Sequence, residues 1–437
     1  MTPSTRPIAH EPALTPRPLE GAVSFRKGTP HAMLRTRTII LTALTTLSLC
    51  TLACAPRSSG VEARKEADIR FRRTTSLVSF DQAKQAFESG QLDTARKEIE
   101  GAIARSDTEA KYWSLLGRIE LESKHLEKSI AAFEKSIACD PTLGEPYYYR
   151  GIVHQRWAQS DKAIADYLKA AELDPERVSY LLAAAELMIA ARKLDEAREV
   201  LLPKLAYFEH NAAMHELLGD VSALSNDPAS AARSYERALI IDGDAPLVGE
   251  KLVAALFSAG EWQKCLDAAR RQRSAVVTAG NGKHADIPNE VLRNEGRSLS
   301  MLGRMAEARG VFAEECRTYP ECVDAWRDLV RASLETDDLK RAESAADRVI
   351  ALAKDDANGY TMRSMVASRR GRFDEAVRWS RLAVARAPRD EHALLALGLA
   401  LRGAGKTVES AKVLAEAMAL DPKSEVARRA FVGAATE

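Results

Sequence analysis

The residue types that most often carry catalysis are scattered in this chain. Its eight histidines form no HExxH pair, and no serine lies in a GxSxG turn. The segment 280–284 (GNGKH) has the glycines and lysine of a phosphate-binding loop. It lacks the preceding strand and the full spacing, so a flexible insertion is the better interpretation. Asp242 and Asp244 flank a glycine in what we interpret as a turn, not a calcium site. We therefore predict no enzyme activity, no cofactor and no metal site.

The cysteine with the most informative surroundings is Cys54. It follows a basic start (Arg35 and Arg37) and roughly fifteen mostly apolar residues that end at Ala53, a run typical of a secretory signal and short for a bilayer span. The four residues ending at Cys54 (TLAC) resemble the cleavage box of bacterial lipoproteins, although leucine is usual where this chain has Thr51. The resemblance implies acyl chains on Cys54 and anchoring to a membrane.

This interpretation divides the N-terminal region and predicts a location. We predict an upstream or disordered arm at 1–32, a signal peptide at 33–53 that starts at Met33, and a charged tether at 54–75. The protein would then be lipid-anchored in a bacterial cell envelope, on the periplasmic or extracytoplasmic side. The alternatives are ordinary secretion with cleavage after Ala55, an uncleaved anchor, and a cytosolic protein.

Two further cysteines bracket a proline. Cys316 and Cys322 lie on either side of Pro320, so a local disulfide would form in an oxidising compartment, and two reduced thiols are the alternative. No pair of close CxxC motifs exists, which argues against a zinc site.

The charges of the chain are balanced. There are 63 Lys and Arg residues against 62 Asp and Glu, so the net charge is +1. No bulk attraction to nucleic acid or to an acidic membrane follows from this balance, and no basic-aromatic module is present. We predict that nucleic acid is not a partner.

Small residues recur every 34 positions for most of the length. One series consists of Ala95, Ser129, Ala163, Ala197, Ala231 and Cys265. After a nine-residue slip the series continues as Ala308, Ala342, Ala376 and Ser410. A second series of mostly small residues lies twelve positions before each of these. A fixed period of this length indicates stacked helical repeats.

One unit, 110–143, shows why small residues are needed. Trp113 and Gly117 lie on one face of a first helix, and Ser129 and Phe133 share a face of a second. Two antiparallel helices approach closely only where the crossing side chains are small. This pattern resembles the tetratricopeptide repeat (TPR) family over about 350 residues. The resemblance implies an all-α fold, a right-handed superhelical α-solenoid of about ten helix-turn-helix units.

The phase of the repeat also predicts boundaries. Units one to six occupy 76–279, an insertion occupies 280–288, units seven to ten occupy 289–424, and a capping helix occupies 425–437.

The resemblance implies a binding groove. In the TPR family, positions 2, 5, 9, 12 and 13 of each first helix line a concave surface. The basic residues at these positions in units seven to nine are Arg293, Arg297, Arg327, Arg331 and Arg369. The middle units supply Glu186, Glu216, Asp220 and Glu250, and unit three supplies Tyr148 and Arg156. We expect the arginines to form a cluster of like charges that attracts an anionic partner; solvated faces are the alternative.

These observations predict a lipid-anchored envelope scaffold that binds a protein or peptide segment in its groove, in the manner of a bacterial TPR lipoprotein. An alternative is a glycan-handling subunit of a polysaccharide export or synthesis system, which should carry aromatic platforms. A cytosolic TPR regulator is a further alternative if Met33 is not the start.

Overall fold

The structure is a computed structural model that describes residues 60–243, 245–279 and 287–435. The predicted arm, signal peptide and Cys54 lie outside the described residues, as does most of the predicted insertion. The chain divides into two compact units, Met1–Arg70 and Phe71–Glu437. Of the first unit, residues 60–70 are described, and they are helical and exposed.

The described residues form twenty-one helices and no strands, so the expected all-α solenoid is confirmed. The helices are α1 Gly60–Glu88, α2 Leu92–Arg105, α3 Ala110–Glu122, α4 Leu126–Cys139, α5 Gly144–Arg156, α6 Ser160–Leu173, α7 Val178–Ala190, α8 Leu194–Leu205, α9 Ala212–Leu224, α10 Pro228–Ile241, α11 Pro246–Ser258, α12 Trp262–Ala279, α13 Asn289–Met301, α14 Met305–Thr318, α15 Val323–Glu335, α16 Leu339–Leu352, α17 Ala357–Arg369, α18 Phe373–Arg386, α19 Glu391–Gly403, α20 Thr407–Leu420 and α21 Glu425–Ala435.

The helices pair in the order of the sequence repeat. From α3 to α20, each odd-numbered helix packs against the helix that follows it, and that helix packs against the next pair. The odd-numbered helices from α3 to α19 begin 34 residues apart, except that α13 begins nine residues late. The last helix, α21, packs on α20 and α19 with Ala427 fully buried.

Two segments differ in detail from the sequence interpretation. Residues 60–75, assigned to a tether, are helical and belong to the 29-residue helix α1. At the insertion, α12 is 18 residues long and ends at Ala279, and Ile287 is completely buried just before α13. The periodic pattern detects buried faces, and residues 60–75 are exposed almost throughout, so nothing in that pattern marked them as helical.

A glycine against a ring sets the distance between the helices of a unit. A Cβ built on Gly117 would lie 2.4 Å from Cε1 of Phe133, and one on Gly296 would lie 2.4 Å from Cε1 of Phe312. The Ser129 hydroxyl also donates to the Gly117 carbonyl at 2.8 Å. Gly117 and Ser129 therefore meet as the sequence suggested, and the aromatic ring occupies the space that any larger residue at Gly117 would need.

The turn inside each unit uses the same backbone conformation. One residue per turn has φ between 55° and 76°, the left-handed region. Glycine, asparagine or aspartate occupies seven of these turns, whereas Lys124, Ala158 and Arg192 occupy the other three. Packing of the flanking helices holds these three residues in a conformation that their side chains disfavour.

We expect two alanine substitutions in unit seven to have opposite effects. Gly296→Ala should lower the free energy of unfolding by about 1–3 kcal/mol, because the added methyl overlaps the Phe312 ring. Gly310→Ala, in the exposed middle of α14 with no atom near its Cβ position, should raise it by about 0.5–1 kcal/mol. Thermal and urea unfolding of both variants measure the difference. Equal midpoints for the two variants would show that the helix crossing does not depend on the glycine.

Candidate protein-binding face

The odd-numbered helices carry equivalent side chains on one surface, and in units six to ten consecutive odd-numbered helices contact one another along it. We call it the first-helix face and define it by positions 2, 5, 9, 12 and 13 of each unit. Along it, α11 contacts α13, α13 contacts α15, α15 contacts α17 and α17 contacts α19. Side chains of adjacent units therefore meet directly on this face.

The acidic middle of the face is partly neutralised by a lysine. The Lys251 ammonium lies 2.7 Å from a carboxylate oxygen of Glu216 and 2.8 Å from one of Asp220. The Tyr235 hydroxyl also donates to Asp220, at 2.8 Å. Although burial lowers the pKa of Lys251, its hydrogen bonds to Asp220 and Glu216 raise that pKa overall. The sequence interpretation missed Lys251 because it lies at position 6, outside the family's groove positions.

Among the residues that the structure describes, no lysine pairs with Glu186 or Glu250 as Lys251 does with Glu216. Partial desolvation of the Glu186 carboxyl raises its pKa, and the nearby negative charge of Glu216 raises that pKa further. Burial raises the pKa of Glu250. Both carboxylates lie in surroundings that disfavour their negative charge, although the Glu186 side chain is solvent-exposed.

The predicted basic cluster is largely paired. Arg293 contacts Glu315 at 3.3 Å and Glu290 at 3.1 Å, and Arg297 Nε donates to Asp328 at 2.8 Å. Similarly, Arg327 binds Asp324 at 2.9 Å and also Asp356. The expectation of mutually repelling arginines is therefore wrong for these three residues. Glu290 and Asp324 pair with the arginines from position 2 of the same helix. The other partners, Glu315, Asp328 and Asp356, lie outside the groove positions.

Two arginines of the predicted set are more exposed. The side chain of Arg331 is 69% exposed and that of Arg369 is 55% exposed. Arg331 contacts Asp328 at 3.3 Å, and Arg369 lies 3.6 Å from Asp337. These two guanidinium groups present most of their donors to solvent.

The aromatic groove side chain of unit three, Tyr148, packs against other rings and does not form an open aromatic surface. The Tyr148 ring stacks on Tyr180 with centroids 4.6 Å apart and lies 5.5 Å from Tyr167. Phe80 packs in the same way on Tyr112, with centroids 5.0 Å apart. Arg156 is exposed at the end of α5. The structure therefore places Tyr148 among other rings and Arg156 in solvent.

The two cysteines around Pro320 are both free thiols in the structure. Cys316 is buried, and burial raises the pKa of its thiol. Cys322 is half-buried, and its Sγ lies 3.0 Å from Nη2 of Arg293. A disulfide between them in an oxidising compartment stays a prediction.

Two negative results concern only the part of the chain that the structure describes. There, no group of three or more His, Cys, Asp or Glu side chains is placed to hold a metal ion. No helix within the same ranges is long and apolar enough to cross a membrane.

The buried Glu315 makes a pH prediction. Burial raises its pKa to about 7, the charge of Asp328 adds to this effect, and Arg293 and Arg297 oppose it. A carboxyl with a raised folded-state pKa stabilises the fold fully below its ordinary pKa, and that contribution is lost as the pH rises toward about 7. We therefore expect the free energy of unfolding of Glu315→Gln, relative to that of the parent, to increase steadily as the pH rises from about 5 to about 8.

Urea unfolding of parent and variant across this range gives the comparison. Glu290→Gln is the matched control, because Glu290 contacts the same arginine from an exposed position. Its difference from the parent should stay constant with pH. Parallel stability curves for the parent and Glu315→Gln would contradict the buried, protonated state of Glu315.

Comparisons with known proteins agree with the repeat. The sequence patterns of the tetratricopeptide repeat family match residues 80–143, 182–246, 293–357 and 361–425, and a second pattern of that family matches 132–165. No curated protein matches the chain significantly.

Several solved structures resemble the chain at low identity. One is the Naa15/Naa10 complex bound to HypK-THB (15% identity, TM-score 0.41), where the match covers 82% of this chain and 65% of that one. Another is the APC/C hetero-tetramer Cut9-Hcn1 (10% identity, TM-score 0.40), with 81% and 95% covered. A tetratricopeptide repeat protein from Parabacteroides merdae has 12% identity and a TM-score of 0.40, with 60% and 99% covered. The family patterns together span more than half of the sequence. The chain belongs to the tetratricopeptide repeat family, a family of non-catalytic scaffolds for protein–protein interaction.

Proposed function

We propose that this protein is a lipid-anchored scaffold of a bacterial cell envelope that holds a segment of a partner protein on its first-helix face. The single observation that carries the binding role is the exposure of large apolar side chains on that face. Leu247 is 69% exposed, Met301 59% and Met365 49%, and all three occupy groove positions of the repeat. Apolar side chains that recur on one face lower the free energy of the system when a partner covers them.

A protein segment fits this face better than a glycan does. A glycan groove needs aromatic faces that are open to the sugar rings, whereas Tyr148 and Phe80 stack on neighbouring rings. The face offers flexible aliphatic and thioether side chains beside guanidinium groups instead. Such a mixture suits the apolar and carboxylate groups of a polypeptide.

The anchoring part of the proposal rests on the sequence around Cys54. A basic start, an apolar run and a small residue before the cysteine together supply the features of a lipoprotein signal. Acyl chains on Cys54 would hold the scaffold at a membrane surface and leave the repeats free to bind.

We expect Cys54→Ser to abolish anchoring without affecting the repeats. The parent protein should partition into the detergent phase and begin at an acylated Cys54, and the variant should appear in the aqueous phase or as uncut precursor. Phase partitioning and intact mass measure this outcome, and Cys50→Ser is the control, since Cys50 lies inside the predicted signal. An aqueous parent with no acyl mass would contradict the anchor.

Photo-crosslinking tests the binding face directly. A photoreactive residue placed at Leu247 or Leu399 of the first-helix face should give discrete protein adducts in cells, because a bound segment covers these exposed side chains. The control is Val408, which is 86% exposed on the second helix of unit ten. Adducts from Val408 alone would place the partner elsewhere, and adducts to polysaccharide would favour the glycan-handling alternative.

A further inference from the structure

Two cavities open on the first-helix face on either side of Arg331. The first, which we call the Met301 cavity, has a volume of about 320 Å³, and its lining includes Phe257, Met301, Met305 and Phe312. The second, the Met365 cavity, has a volume of about 400 Å³, and its lining includes Val330, Leu334, Met362 and Met365. Arg331 belongs to the lining of both cavities.

Methionine is concentrated at these cavities. Four of the nine methionines in the chain line them, and Met301 and Met365 are about half exposed. Methionine side chains are unbranched and polarisable, so they adjust to apolar groups of different shape. Each cavity has room for a bulky apolar side chain such as that of leucine, and its lining also contains a hydroxyl side chain, Ser300 in the first and Thr361 in the second.

The repeat register explains why Arg331 lacks a strong partner. In three places a side chain at position 9 of one unit meets position 6 of the next. Asp220 pairs with Lys251, Arg297 pairs with Asp328, and Arg118 lies over the ring of Tyr149 at 4.9 Å. The sequence spacing is 31 residues each time.

Position 6 of the unit after Arg331, 31 residues further along the chain, holds Met362, which carries no charge. Among the described residues, Asp328 is the carboxylate that Arg331 contacts, at 3.3 Å, and Asp328 already accepts the shorter bond from Arg297. Asp328 is nearly buried, so two guanidinium groups share one carboxylate that solvent hardly reaches. The nearby carboxyl of Glu315 contacts Arg293. Burial raises its pKa to about 7, so it is partly protonated near neutral pH.

We propose that Arg331 and the two cavities form a site for a peptide segment that carries an acidic side chain between two bulky apolar side chains. The acidic group pairs with Arg331, and the apolar groups enter the Met301 and Met365 cavities. The positive charge of Arg331 selects an acidic side chain. Because Arg331 lines both cavities, the acidic side chain must lie between the two apolar side chains along the segment. This inference rests on the proposed function, because it names the kind of segment that the first-helix face holds.

Synthetic peptides test the chemistry on the full-length protein. The probes are fluorescein-labelled peptides in which two leucines flank a glutamate through short serine spacers. Matched peptides carry lysine in place of the glutamate, or serine in place of both leucines. We expect the glutamate peptide to bind about tenfold more tightly than the lysine peptide, because one charge-assisted pair contributes about that factor. The serine peptide should not reach saturation.

Variants of exposed residues locate the binding. Arg331→Gln should weaken binding of the glutamate peptide about tenfold and should bring the glutamate and lysine peptides to similar affinities. Arg381→Gln is the matched control, since Arg381 is an exposed arginine on the second helix of unit nine and lines neither cavity, and it should leave both affinities unchanged. Met301→Ser and Met365→Ser should each weaken binding of the two leucine-bearing peptides alike. The side chains of Arg331, Arg381, Met301 and Met365 are all about half exposed or more, so the fold should tolerate these changes, and circular dichroism checks it.

The outcomes separate this inference from the proposed function. Equal binding of glutamate and lysine peptides by the parent, no binding of any peptide, or an unchanged affinity in Arg331→Gln would overturn the inference. Lysine-peptide binding that is lost in Glu186→Gln would also overturn it, by placing the site in the acidic middle. Adducts from Leu247 and Leu399 would still support the proposed function in each case, whereas their absence would contradict the proposed function itself.

Discussion

Close approach of the two helices inside a unit is the constraint on which the rest of the structure depends. In five of the ten units it is a contact between a glycine backbone and a large side chain, and the other five carry alanine, serine or valine at that position. At Gly151 and Gly219, as at Gly117, the ring of a tyrosine or phenylalanine occupies the place of a missing Cβ. This contact fixes how closely the two helices of a unit approach and therefore how the next unit stacks on them. Because the geometry repeats, the same positions of every first helix reach the same face. A surface of equivalent positions exists because the two helices of each unit cross at the same position of the repeat.

The stacking also determines which charges remain available to a partner. Position 9 of one unit faces position 6 of the next, so a charge at position 9 is neutralised wherever the next unit supplies the opposite charge. Arg297 and Asp220 are paired in this way, with Asp328 and Lys251. Such pairs link neighbouring units and fix their register, although each pair on a partly exposed surface contributes little free energy. A charge at position 9 therefore stays available to a partner protein where the next unit holds an uncharged residue at position 6, as it does for Arg331.

Prediction from the sequence succeeded where the determinants are local. The starts of α3 and α13 follow from the period, because small residues and turn residues mark each unit within about 34 positions. The pairing of the arginines was not foreseen, since Arg297 and Asp328 belong to different units and the family pattern describes single units. The helical state of residues 60–75 was missed for a different reason, because an exposed helix has no buried face to give a period. A rule that joins position 9 to position 6 of the next unit would have found the first of these from the sequence.

The same rule assigns a physical meaning to an irregularity of the repeat. Arg297 and Arg331 are equivalent residues 34 positions apart, yet the residue that would complete the pair is aspartate for one and Met362 for the other. A stack selected for stability alone would gain a little from an acidic residue at 362, which would neutralise Arg331 and link units eight and nine. A methionine there leaves the guanidinium exposed and adds apolar lining to the adjacent cavity. On our proposal, the bound segment supplies the acidic side chain that unit nine lacks at position 6. Recognition of the partner then uses the same kind of charge pair that elsewhere links neighbouring units.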